Sequence, residues 1–185
     1  MKRSKILVWL TSLMFIISSQ QPASAEWFLE SQNSRSGVAT YASTFWIENF
    51  GPANLEDIEQ EDLEEGTFWS ILTASCVGKK LSFVITLEIA GSGNVDIRLD
   101  NPGYAYLKFN LLTKKFRTSP SNFNASLSFV SDANKILSET LKTSRLSITL
   151  RELSTRERVT AIFDLSGLSK AKARFRSAGC SFPSR

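Results

Sequence analysis

Two cysteines constrain this chain more than any other feature. Cys76 and Cys180 are the only ones among its 185 residues, and the second ends a stretch that changes character midway. Val159 to Leu165 is strand-like, and Ser166-Gly167 breaks the run. Leu168, Ala171, Phe175 and Ala178 then recur at helical spacing, flanked by Lys170, Lys172, Arg174 and Arg176. In an exported chain two cysteines suggest one disulfide, Cys76 to Cys180; two buried free thiols are the alternative. Closing a loop of about 100 residues contributes about 4.7 kcal/mol in the chain-entropy model. The stretch is therefore expected to close the fold. Phe163 and Leu165 should be buried, Gly167 should make the break, and the apolar stripe should pack on a sheet.

Export is read from the first residues. Lys2, Arg3 and Lys5 precede an apolar run from Ile6 to Ile17, and a small-residue stretch then ends Ala23-Ser24-Ala25. That is a basic region, an apolar region and an A-x-A cleavage site. The run is shorter than the roughly 20 residues of a membrane span. Residues 1–25 are expected to be a cleaved signal peptide and residues 26–185 a single β-rich exported domain, periplasmic or secreted. With no cysteine directly after the run, no lipid anchor is expected, and no stable membrane anchor after cleavage.

Cleavage changes the charge argument. It removes three of 22 basic residues and none of 18 acidic ones, leaving 19 against 18. The basic pI of the whole chain is then no nucleic-acid footprint, and no nucleic-acid partner is expected. The charge is segregated instead. Glu48 to Glu65 holds eight acids and no base, whereas Lys142 to Arg185 holds ten bases against three acids. Residues 54–66 read as a solvated acidic connector, with a short helical turn at Leu55 and Ile58 as the alternative. Two charged stretches are candidate partner surfaces: Glu56, Asp57, Glu59, Glu61, Asp62, Glu64 and Glu65, and the helix flank Lys170, Lys172, Arg174 and Arg176.

Period-two patterning dominates between these landmarks. Ser31 to Gly37 is turn-like, and Val38 to Phe50 reads as a strand with a bulge, ended by Gly51-Pro52. Thr67 to Val77 and Leu81 to Ile89 read as strands joined by Gly78-Lys79-Lys80; the second alternates almost perfectly. Gly91 to Asn94 is a hairpin loop, and Val95 to Leu99 a return strand carrying Asp96, Arg98 and Asp100 on its other face. Tyr104 to Leu111 sends Tyr104, Tyr106 and Lys108 to one face and Ala105, Leu107 and Phe109 to the other. Thr113 to Asn124 is polar, with a loop at Ser119 to Asn122, and Phe123 to Phe129 is a strand. A helix is expected over Asp132 to Lys142, capped by Ser131. Strands at Leu146 to Leu150 and Arg158 to Leu165 follow. The fold class is α+β and β-rich: roughly seven to nine antiparallel strands, sandwich-like or strongly curved, with two short helices, the last one C-terminal.

The chemistry is mostly exclusion. The chain has no histidine, which removes Ser-His-Asp and Cys-His machinery and histidine metal sites. Two distant cysteines make no zinc site, so neither metal nor cofactor is expected. Ser169-Lys170-Ala171-Lys172 matches Ser-x-x-Lys, but a Ser-Asp-Asn partner is missing, and so short a pattern is cheap in a Ser- and Lys-rich chain. Asp96 and Asp100 flank Arg98 as a charge-paired sheet face, too few oxygens for calcium.

Trp27, the strand ending in Cys76, Val95-Asp96-Ile97-Arg98-Leu99-Asp100, and Phe163-Asp164-Leu165-Ser166-Gly167-Leu168 running to Cys180 follow one another along the chain. This order of landmarks resembles the VasI family of exported proteins associated with bacterial type VI secretion. The Gly-Leu close also resembles invasion-associated locus B proteins. The VasI resemblance implies a periplasmic accessory protein without established enzymatic activity and supplies no catalytic residue. The function expected is a non-enzymatic binding or accessory module with protein partners in the cell envelope. A periplasmic or secreted inhibitor of a cell-wall hydrolase is the alternative, and an envelope-polymer enzyme the weakest reading.

Overall fold

The computed structural model describes residues 27–34, 37–48, 51–53, 64, 66–89, 99, 103–120, 126–151, 156 and 158–181. Eleven strands and two short α-helices lie within them. The first sheet takes β1 (Phe28–Ser34), β2 (Gly37–Ile47), β3 (Gly51–Ala53), β4 (Phe68–Val77), β5 (Lys80–Ile89), β8 (Ser119–Pro120) and β9 (Ser126–Ser128). Its order is β1-β2-β4-β5-β9-β8, with β3 folded back on β2. The second sheet takes β6 (Tyr104–Phe109), β7 (Leu112–Arg117), β10 (Arg145–Arg151) and β11 (Arg158–Asp164), in the order β11-β10-β6-β7. Every strand pair is antiparallel. The chain is thus the expected β-rich α+β, sandwich-like fold.

Alternation builds the core. Leu81, Phe83, Ile85 and Leu87 of β5 are buried, with Leu72, Ala74 and Cys76 of β4 beside them. The second sheet contributes Ala105, Leu107, Phe109, Phe116, Leu146, Ile148, Leu150, Val159, Ala161 and Phe163 to the same cluster. Between β4 and β5 the chain turns on two residues, Gly78 (φ 56) and Lys79 (φ 65). Positive φ at both central positions is the type I′ geometry that matches the strand twist.

Several expectations are corrected. The turn expected over Ser31 to Gly37 is narrower than that: Ser31 to Ser34 continue β1 and pair with Gly37 to Thr40 of β2, and residues 35 and 36 lie outside the described residues. Gly51-Pro52 does not merely end a strand, because Gly51–Ala53 pairs back on Phe45 to Ile47. The polar stretch after Leu111 contains β7, so Tyr104 to Arg117 is a hairpin. Helix α1 spans Ala133–Thr140 after a 3-10 turn at Val130–Asp132, and Ser131 is not its cap. The N-cap position falls to Asp132, whose carboxylate instead accepts the Arg117 N–H at 3.0 Å. The Gly91 to Asn94 hairpin and the Asp96, Arg98, Asp100 face lie outside the described residues; Leu99 is described, half-buried against the core.

The C-terminal unit closes the fold as expected. After β11 a 3-10 turn (Leu168–Ala171) leads into α2 (Lys172–Ser177), and Phe163, Leu165, Leu168, Ala171 and Phe175 are buried. The end of α2 is a Schellman cap: the Cys180 N–H donates to Phe175 O (3.0 Å) and the Gly179 N–H to Arg176 O (2.9 Å). Gly179 supplies the required left-handed residue at φ 84. That turn aims Cys180 at the inner end of β4, where it is bonded to Cys76 with 6.0 Å between Cα atoms and 104 residues between them in sequence. The N-terminal side locks onto the same unit. The Trp27 indole N–H donates to Asp164 O at 3.1 Å, and a Cβ on Gly167 would lie 2.9 Å from Trp27 Cδ1. Gly167 is therefore glycine because the tryptophan ring occupies the space.

Candidate functional site

The outward residues of the four-stranded sheet follow from its register. On β6 they are Tyr104, Tyr106 and Lys108; on β7, Thr113, Lys115 and Arg117; on β10, Arg145, Ser147, Thr149 and Arg151. β11 adds Arg158, Thr160, Ile162 and Asp164. Across the hairpin Tyr104 pairs with Arg117 and Tyr106 with Lys115, while Lys108 lies between Thr113 and Ser147. Thr149 faces Thr160 with their hydroxyls 2.9 Å apart, Arg151 faces Arg158, and Arg145 faces Asp164. Among the described residues, six exposed cations thus share one face with a single acid, Asp164.

The tyrosines organise the middle of this face. Tyr104 is 45% and Tyr106 60% exposed, so neither ring is spent on the core. The Lys115 ammonium lies 4.0 Å from the Tyr104 ring centroid and 6.0 Å from that of Tyr106. Such a contact contributes about 0.5–1 kcal/mol at an exposed site, enough to hold the lysine over the rings. Chemically the face offers charge-assisted donors, hydroxyls and ring edges to an anionic surface. Beneath the hairpin, Lys114 leaves the face and pairs with Glu139 of α1 at 2.6 Å. The hydrogen bond from Lys114 holds the Glu139 carboxyl below its ordinary pKa.

The outer face of the seven-stranded sheet has a different composition. Its hydroxyls pair across strands, Ser43 with Thr73 and Thr86 with Ser126, each at 2.9 Å. Glu88 stands opposite Trp69, and partial burial pushes its carboxyl above the ordinary value. Of β4 and β5 the one cation on that face is Lys80, at the turn end of β5.

The residues singled out in the sequence are distributed as follows. Lys170, Arg174 and Arg176 are exposed on the closing helix and Lys172 is half-buried. Arg174 donates to Leu29 O at 2.9 Å, which ties α2 to β1. Glu64 is exposed, and its carbonyl accepts the Thr67 N–H. Glu56, Asp57, Glu59, Glu61, Asp62 and Glu65 lie outside the described residues, as do residues 1–26. Ser169 of the Ser-x-x-Lys match lines an open cleft of ≈ 190 Å³ with Thr140, Leu141, Lys142, Thr143, Ser144, Leu165 and Ser166. That lining holds hydroxyls, two leucines and one lysine, with no carboxylate or imidazole.

Sequence reasoning missed the cationic face. Each strand's polar side was readable, but β6 and β10 meet only in the folded sheet, 37 or more residues apart by their pairing. Among the described residues no group of three or more His, Cys, Asp or Glu side chains is placed to hold a metal ion, and no helix is long and apolar enough to cross a membrane. No family model, no curated protein and no solved structure matches this chain.

Proposed function

We propose that this protein is an exported, non-catalytic binding module of the bacterial envelope that docks on an anionic partner through the outer face of its four-stranded sheet. The observation that carries the reading is the gathering of six cations and two exposed tyrosines on that one face. After signal cleavage the chain is close to neutral, with 19 basic and 18 acidic residues. A local excess of this size therefore creates a directed field, which steers association and favours an anionic surface. The disulfide supports an oxidising compartment, in keeping with the basic and apolar leader. On this reading the protein acts in the periplasm or after secretion, and the VasI resemblance points to accessory work at a type VI secretion apparatus.

Two measurements test it. Cell fractionation should place the protein outside the cytoplasm with its mature N-terminus at Glu26. Isolated envelopes should retain it in a salt-dependent way, and neutralising Lys115, Arg117, Arg151 and Arg158 to glutamine should release it. Retention that ignores those four substitutions would overturn the reading.

A further inference from the structure

The β6–β7 hairpin ends in two leucines for which the fold has no use. Leu111 is 91% exposed and Leu112 61%. They follow Asn110, whose φ of 51 makes the turn. A hairpin of this kind turns well on polar residues and glycine, so apolar side chains at its tip bring the fold nothing. The surroundings of the tip are cationic. Lys108 is one pair behind it on β6, and Arg145 stands beside the turn because its carbonyl accepts the Asn110 N–H at 3.1 Å. On the other side Lys114 and Lys142 both reach Glu139, at 2.6 and 3.6 Å. Tyr106 and Lys115 come next along the strands.

We propose that this hairpin is a peripheral membrane anchor. Leu111 and Leu112 enter the headgroup–acyl boundary of an anionic bilayer, Lys108, Lys115 and Arg145 meet lipid phosphates, and Tyr106 lies at the interface. The proposal rests on the reading of an envelope-binding module and identifies its anionic partner as the lipid surface. Three observations favour lipid over a protein. The apolar residues sit on a convex tip, which a protein would have to meet with a matching pocket. Positive charge lies on more than one side of that tip, since Lys114 and Lys142 share the one carboxylate of Glu139 and keep a net charge opposite Lys108, Lys115 and Arg145, as a headgroup layer requires and a single acidic patch does not. The depth also fits. Lys115 is three residues beyond Leu112, about 10 Å along a strand, and interfacial apolar groups bury about 5–10 Å below the headgroups. Tyrosine at the boundary matches the enrichment of amphipathic rings there.

The test uses protein recovered from the periplasm or medium, with its mass checked for loss of the leader. Co-sedimentation is measured with phosphatidylcholine vesicles with and without phosphatidylglycerol. The wild type should bind the phosphatidylglycerol vesicles and release at high salt. Leu111→Ser with Leu112→Ser should weaken binding about tenfold per leucine, and Lys108→Gln with Lys115→Gln about fivefold per cation. All four positions are exposed, and an unchanged near-UV circular dichroism spectrum checks that the variants fold. Wild-type protein that ignores phosphatidylglycerol vesicles, or a serine variant that binds them as well as wild type, overturns the proposal. If envelopes still retain the protein through its charges but not its leucines, the binding-module reading stands and the lipid anchor falls. Loss of charge-dependent retention as well removes both.

Discussion

Strand β11 belongs to two regions that obey different rules. Its inward residues Val159, Ala161 and Phe163 run into the closing unit, where Leu165, Leu168 and Phe175 are buried and Cys180 is bonded to Cys76. Its outward residues Arg158, Thr160 and Ile162 join the cationic face. In the closing unit each singled-out residue has a packing reason: Gly167 yields to Trp27, Gly179 makes the cap, and Phe163 fills the core. On the outer face the cations and tyrosines fill no space in the core. Stability and binding should therefore separate along one strand, so that substitutions in the closing unit change melting and those on the face change association.

The largest expected effect comes from the closure. Cys180→Ala opens the bond across 104 residues, and losing such a bridge costs about 2–5 kcal/mol. For a domain of this size each kcal/mol moves the melting temperature by about 2–4 °C, so a drop near 10 °C is expected. Below the new transition the variant should bind envelopes as the wild type does. Wild-type melting in Cys180→Ala would show that packing alone holds the helix. Binding lost while the protein is still folded would show that the two regions are coupled.

Gly167→Ala should come next. The added Cβ would stand 2.9 Å from the Trp27 ring, so either the ring or the β11–α2 connection must shift. Overpacking of this kind costs about 1–3 kcal/mol. The cleanest readout is Trp27 itself, whose indole bond to Asp164 O should break and shift its fluorescence. Unchanged emission and an unchanged melting temperature would mean that the contact relaxes freely.

The face should respond in the opposite way. Lys115→Glu with Arg117→Glu replaces two exposed cations on β7. Replacing Arg117 should cost no more than about 0.5 kcal/mol, and replacing Lys115 no more than about 1 kcal/mol with its Tyr104 contact. Denaturation midpoints should hardly move, whereas salt-dependent envelope retention should collapse. A large stability loss would place those cations among the structural residues and erase the contrast.

That contrast also explains what the sequence made legible. Leu81 to Leu87 alternate, with Val84 the one exception, because one face of the strand lies in the core, and the structure buries Leu81, Phe83, Ile85 and Leu87. Leu168, Ala171 and Phe175 announced the closing helix by spacing alone, and Cys180 its fastening. Edge strands were harder to read. Of β7 only Phe116 is buried, and Ser31 to Asn33 of β1 are exposed, so neither carried an apolar rhythm to find. The cationic face was invisible for another reason. Lys108 and Ser147 face each other only once β10 lies beside β6, and nothing local specifies that neighbour. Period-two patterning shows which side of a strand is polar, but sheet order decides which polar sides add up.

The smallest effect lies at the seam between the two regions. Glu139 of α1 accepts Lys114 of β7 at 2.6 Å, so one ion pair joins the helix to the back of the cationic hairpin. That hydrogen bond, aided by the Lys114 and Lys142 charges, sets the Glu139 pKa below its ordinary value in the fold. The unfolded chain then takes up the proton first. The pair's contribution is complete above the unfolded pKa and is lost as the pH falls through the lower, folded one. Glu88 works the other way, since its raised pKa favours the protonated fold and its ionisation opposes folding as the pH rises past the unfolded value. Glu139→Gln should therefore show a shallower loss of denaturation midpoint on acidification than wild type, and Glu88→Gln a steeper one. Parallel pH profiles in all three proteins would detach α1 from the hairpin energetically. The cationic face would then stand on its strands alone.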